Sequence, residues 1–192
     1  MKSIITLLLL LMLYSCSYIR LLGIKKEENE TKNQINQYLG KKKILYNYSF
    51  ELNDTIAYMM KNKKHRELKN DSTKYSLIQL RIYDSKGCLY SLYTQCLGDF
   101  KKKKFNPHLP EKNMYPFINS DLILKDEFEL TTVKENELLT IIEKSKKVDN
   151  TIIVYWNIWT NSFSLRILKE VTKYIRKNPN NQIILINTAR NK

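Results

Sequence analysis

The sequence predicts a small α/β domain built on a mixed sheet, α+β in its mixture of strand directions. Three observations predict it. Residues 151–186 read as an apolar strand, an amphipathic helix and a second apolar strand, so the two strands should lie parallel with a right-handed crossover. Residues 75–97 read as an antiparallel hairpin. Of the 192 residues, 43% are hydrophobic and 27% charged, an ordinary balance for a chain that buries a core.

The elements follow in chain order. Residues 17–40 read as a polar tether, with Lys25, Lys26, Glu27, Glu28, Glu30 and Lys32 among few apolar positions. The globular part should then span 41–192 as one domain. Residues 44–52 alternate loosely and suggest a strand. Asn53 or Asp54 can cap a helix to about residue 68, with Ile56, Met59 and Met60 on one face. In the hairpin, Ile78, Leu80 and Ile82 alternate with Gln79, Arg81 and Tyr83. Asp84-Ser85-Lys86-Gly87 makes the turn, with glycine where positive φ is needed, and 88–97 returns. Residues 98–120, with Pro107, Pro110 and Pro116, suggest a loop, and 122–130 another strand. Thr132 and Glu135 fit a capping box for a helix to about residue 144, with Leu138, Leu139 and Ile142 inward. The last unit pairs the apolar run 151–156 with a helix over 164–177, on which Leu165, Leu168, Val171 or Thr172, and Ile175 recur at helical spacing. Asn178-Pro179-Asn180 stops that helix before the strand 182–186.

Composition excludes several classes. Three cysteines cannot build a disulfide scaffold, and the distant His65 and His108 have no paired cysteines for a zinc module. The four glycines are scattered, so there is no phosphate loop, and no Gly-x-Ser-x-Gly is present. Ser162 or Ser164 beside a helix start suits a cap better than a nucleophile. Asp121, Asp126 and Glu127 could hold a cation, but carboxylates flanking a strand are usually solvated. No cofactor is implied. The formal charge is +14, with runs at Lys41 to Lys43, 61–66 and Lys101, Lys102, Lys103 and Lys104. Alanine occurs only at Ala57 and Ala189 while Lys, Asn, Ile and Tyr abound, a skew that compositional drift toward AT-rich codons produces. Most of that charge should therefore be solvated surface, some could meet an anionic envelope surface, and nucleic acid is the least favoured partner.

The first sixteen residues read as an address. Lys2 is a short basic flank, and residues 4–13 are apolar except Thr6, too short to span a bilayer and of the length of a signal-peptide core. Leu13-Tyr14-Ser15-Cys16 follows. This resembles the lipobox of bacterial lipoproteins; a plain secretory peptide with a chance cysteine, or a buried core helix, is the other reading. The resemblance implies cleavage after residue 15, acylation (palmitate among the chains) of Cys16, and anchoring to a bacterial membrane. With the non-acidic Ser17, it implies the periplasmic side of an outer membrane where the cell has one. Loss of residues 1–15 would lower the formal charge to +13.

The terminal unit carries a second resemblance. Val154-Tyr155-Trp156-Asn157-Ile158-Trp159-Thr160-Asn161-Ser162-Phe163 is similar to the strand–loop–helix of the thioredoxin fold, whose pattern is aromatic-Trp-Ala-x-Trp-Cys-x-x-Cys. Thr160 and Phe163 stand at the cysteine positions, and peroxiredoxins, with Thr-x-x-Cys, would also need a thiol at Phe163. Neither residue supplies the thiolate that thiol–disulfide exchange requires. The family's later antiparallel hairpin has no room before Lys192, so the fold would be incomplete or rearranged, with the 75–97 hairpin supplying those strands from the N-terminal side. The resemblance implies a redox-inactive thioredoxin-like domain that binds or scaffolds in the envelope. Its partner contacts would fall at Asn157, Trp159, Thr160, Asn161 and Ser162, with Lys101 to Lys104 as a second patch. Two alternatives stay open: a divergent thiol–disulfide enzyme using Cys88 and Cys96, and an immunity-type lipoprotein that binds a toxin. Eight residues along one strand would separate Cys88 and Cys96 by about 26 Å, far beyond disulfide reach.

Overall fold

The computed structural model describes residues 30–53, 78–94, 123–129 and 131–189. Cys16, the expected helix after Asn53, the run at 61–66, Cys96 and Lys101 to Lys104 lie outside them. In chain order come α1 (Lys32–Lys42), β1 (Tyr48–Glu51), β2 (Gln79–Asp84) and β3 (Leu89–Thr94). A 3₁₀ turn (Leu124–Phe128), α2 (Glu135–Ser145), β4 (Asn150–Trp156), α3 (Ser162–Lys177) and β5 (Asn181–Asn187) follow. The five strands form one mixed sheet in the order β1-β5-β4-β2-β3. β1, β5 and β4 run parallel; β2 is antiparallel to β4, and β3 to β2. The hairpin thus joins the sheet beside β4, on the side away from β5. Its turn is built as its residues demand. Asp84 Oδ1 accepts from the amides of Lys86 and Cys88, both at 2.9 Å, and Gly87 takes φ +79°.

β4 and β5 are buried at every position, as central strands covered on both faces must be. Cross-strand rows define the two faces. Ile82, Ile152 and Ile183 lie side by side, as do Leu80, Val154 and Leu185, on the face covered by α1 and α3. The opposite rows are Arg81, Ile153, Ile184 and Gln79, Tyr155, Ile186, under the 3₁₀ turn and α2. α3 brings Ile167, Leu168 and Val171 to the first face, and each fully buried aliphatic contributes about 1.5–3 kcal/mol. Asn178 ends α3 by donating its amide to the carbonyl of Tyr174, and Pro179 follows. No helix among the described residues is long and apolar enough to cross a membrane.

Four expectations are corrected. The last part of the expected tether is α1, opened by a capping box between Thr31 and Gln34 and packed through Ile35 and Leu39, so the domain begins by Glu30 rather than residue 41. Two apolar residues four apart suffice because Trp156 and α3 supply the rest of the surface. Of the strand expected over 122–130, the described residues 123–129 do not form one. Leu124 and Phe128, four apart, are both buried by a 3₁₀ turn, and only Ile123 and Thr131 make isolated bridges, to Cys88 and Leu52. The capping box at Thr132 is not made: Thr132 donates its amide to Glu51 O at 3.1 Å, on the outer edge of β1, and α2 starts from Lys134 with no side-chain cap. On α2 the inward stripe is Leu138, Ile141 and Ile142, and Leu139 is 58% exposed.

Candidate functional site

The candidate site is the loop from β4 to α3, beyond the carboxyl ends of two parallel strands, where open α/β sheets characteristically hold ligands. Trp156 and Asn187, partners in register, are the last residues of those strands. The chain then turns on Asn157, which is fully buried. Its amide nitrogen donates to Ser164 Oγ at 3.1 Å, and its side-chain Oδ1 accepts from the Thr160 amide at 2.9 Å. Its Nδ2 donates to Thr188 Oγ1 at 2.9 Å. The Thr160 and Ser164 hydroxyls are hydrogen-bonded to each other at 2.7 Å. Asn161, with φ +24°, leads into the helix without a side-chain cap, so the serine expected to cap serves instead from inside α3, as Ser164.

A carboxylate fills the end of this loop. Glu30, just ahead of α1 and 5% exposed, turns inward. Its Oε1 accepts from the Ile158 amide at 2.6 Å and the Trp159 amide at 3.3 Å, and its Oε2 accepts from Asn187 Nδ2 at 2.8 Å. These are backbone donors near a helix N-terminus, the groups that favour an anion, and here the anion is the protein's own. Burial raises the pKa of Glu30, opposed by its hydrogen bonds from Asn187, Ile158 and Trp159. α1 reinforces the closure. The Tyr38 ring stacks on Trp156 at 5.8 Å, and its hydroxyl donates to Asn161 Oδ1 at 3.2 Å. Burial, then the Glu30 charge, pushes Tyr38 up to about 12.

The predicted contact residues therefore divide. Asn157 and Thr160 are buried and committed to internal hydrogen bonds, so they shape the loop instead of meeting a partner. Trp159 and Asn161 are half-buried and Ser162 is exposed. Cys88 is an exposed free thiol at the hairpin turn, remote from this loop along the sheet.

A second polar cluster lies under the 3₁₀ turn and was not foreseen. Glu127, expected among solvated acids, is 1% exposed. Its carboxylate accepts from Arg81 Nη1 and the Tyr83 hydroxyl on Oε1, and from the Tyr155 hydroxyl on Oε2. Arg81 also reaches Gln79 Oε1 at 3.3 and 3.2 Å and lies over the Tyr155 ring at 5.1 Å. Burial opposes the charge on Arg81, but the Glu127 carboxylate outweighs it and holds the guanidinium protonated. Burial and then Glu127 push the Tyr83 phenol up. With both charged groups sealed from solvent, this cluster can specify the packing of the 3₁₀ turn on the sheet but cannot meet a substrate. Its signal in the sequence is the polar row Gln79, Arg81, Tyr83 on a strand paired on both edges. The signal for Glu30 is the Thr31–Gln34 capping box that follows it. Among the described residues no group of three or more His, Cys, Asp or Glu could hold a metal ion. The chain matches no protein-family model, no curated protein and no solved structure.

Proposed function

We propose that this chain is an exported bacterial lipoprotein, acylated on Cys16, whose α/β domain binds a partner protein in the cell envelope and carries out no thiol chemistry. One observation carries the binding reading. The β4–α3 loop, in the place where thioredoxin-like proteins act, has its interior tied to Glu30, Asn187 and Thr188, while Ser162 is exposed and Trp159 and Asn161 keep part of their surface open. Such a loop is a rigid presentation surface, with an aromatic anchor of the kind that dominates protein interfaces. The antiparallel hairpin on the far side of β4 supports the rearranged thioredoxin-like reading, with its two strands arriving before the strand–helix–strand unit. The Leu13-Tyr14-Ser15-Cys16 sequence supports the anchor.

Site-specific crosslinking in living cells tests the binding reading. A photoreactive residue at position 162 should trap one defined envelope protein, and the same residue at 139, exposed on the opposite layer, should not. Equal trapping at both positions, or at neither, would overturn it. Labelled palmitate should enter the wild-type chain and not a Cys16→Ser variant; label retained by that variant would overturn the anchor.

A further inference from the structure

The fold separates charge that the composition leaves scattered. α1 with its cap residue carries Lys32, Lys41, Lys42 and Lys43, and no acid. α3 carries Arg166, Lys169, Lys173, Arg176 and Lys177 against one acid, Glu170, which pairs with Lys173 at 2.6 Å. Both helices cover the same face of the sheet, and the two helices with the α1 cap hold nine cations and one anion, a net +8. The opposite layer, residues 123–129 and 134–147, holds five lysines and six acids, a net −1. With Glu127 set aside as the buried partner of Arg81, the two layers differ by eight charges, which drift in composition, loading both alike, does not explain. The five cations of α3 recur at three- and four-residue spacing, all are exposed, and the apolar residues between them face the sheet, so they form one outward stripe.

We infer that the α1/α3 face is a docking surface for anionic phospholipid headgroups. Two things select a bilayer as the occupant. The charge is spread along the outside of two helices and is not gathered in a cleft, which suits a broad surface of low curvature. Chain order supplies the second. Glu30, fixed at the start of α1, is fourteen residues from Cys16, a span of at most about 50 Å at full extension. A chain held at Cys16 therefore enters the domain on its basic face. This step rests on the lipid-anchor reading, but the surface chemistry is tested apart from it.

The test uses residues 16–192 with Cys16→Ser, which removes any acyl chain, and vesicles of phosphatidylcholine with or without about one-third phosphatidylglycerol. The chain should sediment with the anionic vesicles at low salt, be released at about 0.5 M salt, and ignore pure phosphatidylcholine. Each cation near an anionic surface adds roughly fivefold in affinity, so Arg166→Gln/Lys169→Gln/Lys173→Gln should weaken binding about a hundredfold. Three glutamines at Lys134, Lys144 and Lys146 on the other layer should leave binding nearly unchanged. Equal losses from both triple variants, binding to pure phosphatidylcholine, or tighter binding to a short duplex DNA than to the anionic vesicles would each overturn the inference. Vesicle binding without palmitate on Cys16 in cells would sink the anchor and spare the surface; palmitate without vesicle binding would do the reverse.

Discussion

Replacing Glu127 with leucine isolates the consequence of burying one charge without its partner. In the wild-type chain a carboxylate with no side-chain exposure accepts from Arg81, itself 2% exposed, and from two tyrosine hydroxyls. Glu127→Leu takes from the buried guanidinium its carboxylate partner, while the neutral Gln79 oxygen stays, and leaves both phenols without this acceptor. Breaking a buried pair from one side costs about 3–5 kcal/mol. A domain of this size is stable by about 5–15 kcal/mol, so the variant should lose about a fifth or more of its stability. With a urea slope of about 2 kcal/mol per M, the midpoint should fall by about 2 M. Arg81→Met in the same chain should restore at least half of that loss, because it removes the stranded charge. The cycle of wild type, two single variants and the double should give a coupling of about 2–3 kcal/mol. Urea unfolding followed by the fluorescence of Trp156 and Trp159 reads all four. A loss under about 1 kcal/mol for Glu127→Leu, or additivity within about 0.5 kcal/mol, would refute the reasoning.

Three further outcomes follow from particular residues. Because burial raises Glu30 above its ordinary 4.5, its stabilising effect is full below that value and is lost as pH rises through the folded-state pKa. The stability of wild type minus that of Glu30→Gln should therefore fall from about pH 4 upward and then level off; a flat or rising difference contradicts the buried placement. Gln182 and Thr151, paired in register and fully buried, have no hydrogen-bond partner among the described residues for either amide atom or for the hydroxyl. Gln182→Leu with Thr151→Val should be neutral or stabilising by about 1 kcal/mol in thermal unfolding, and a loss beyond about 2 kcal/mol counts against it. Gly87→Ala should cost about 1–2 kcal/mol through its φ of +79°, since the added Cβ would meet Leu124 only at an ordinary 3.6 Å. Gly87→Asn should recover part of that cost, and equal costs for the two would point to sterics.

The strand–helix–strand unit was legible because local and tertiary demands agree there. Its strands are apolar and β-branched, its helix keeps a 3.6-residue period, and Pro179 stops it, so the observed bounds lie within two residues of those read from sequence. The hairpin was legible from alternation and from Gly87. What was missed depends on partners distant in sequence. Glu127 sits 46 residues from Arg81, and nothing in a five-residue turn announces that an acid there will be buried. Thr132 fits a capping box locally, yet Glu51, 81 residues away, takes its amide and hydroxyl. α1 has only Ile35 and Leu39 to bury, and its place depends on Glu30 reaching loop amides 128 and 129 residues away. Asn157 and Thr160, read as partner contacts, are interior because Asn157 reaches Thr188, 31 residues away, and holds Thr160 to itself within the loop. The segregation of charge between the two helix layers becomes visible only once the sheet assigns each helix to a face.

Partner capture tests the central claim most directly, that the domain is a lipid-anchored binding module using the outer side of the β4–α3 loop. The full chain, tagged at its C-terminus, is isolated from detergent-solubilised envelope and washed at low and then about 1 M salt, where the screening length is about 3 Å. The account predicts one defined protein that survives the high-salt wash and is lost with Trp159→Ala, while that variant still fractionates with the membrane. Recovery of only salt-labile anionic material, or a captured protein indifferent to Trp159→Ala, would contradict it.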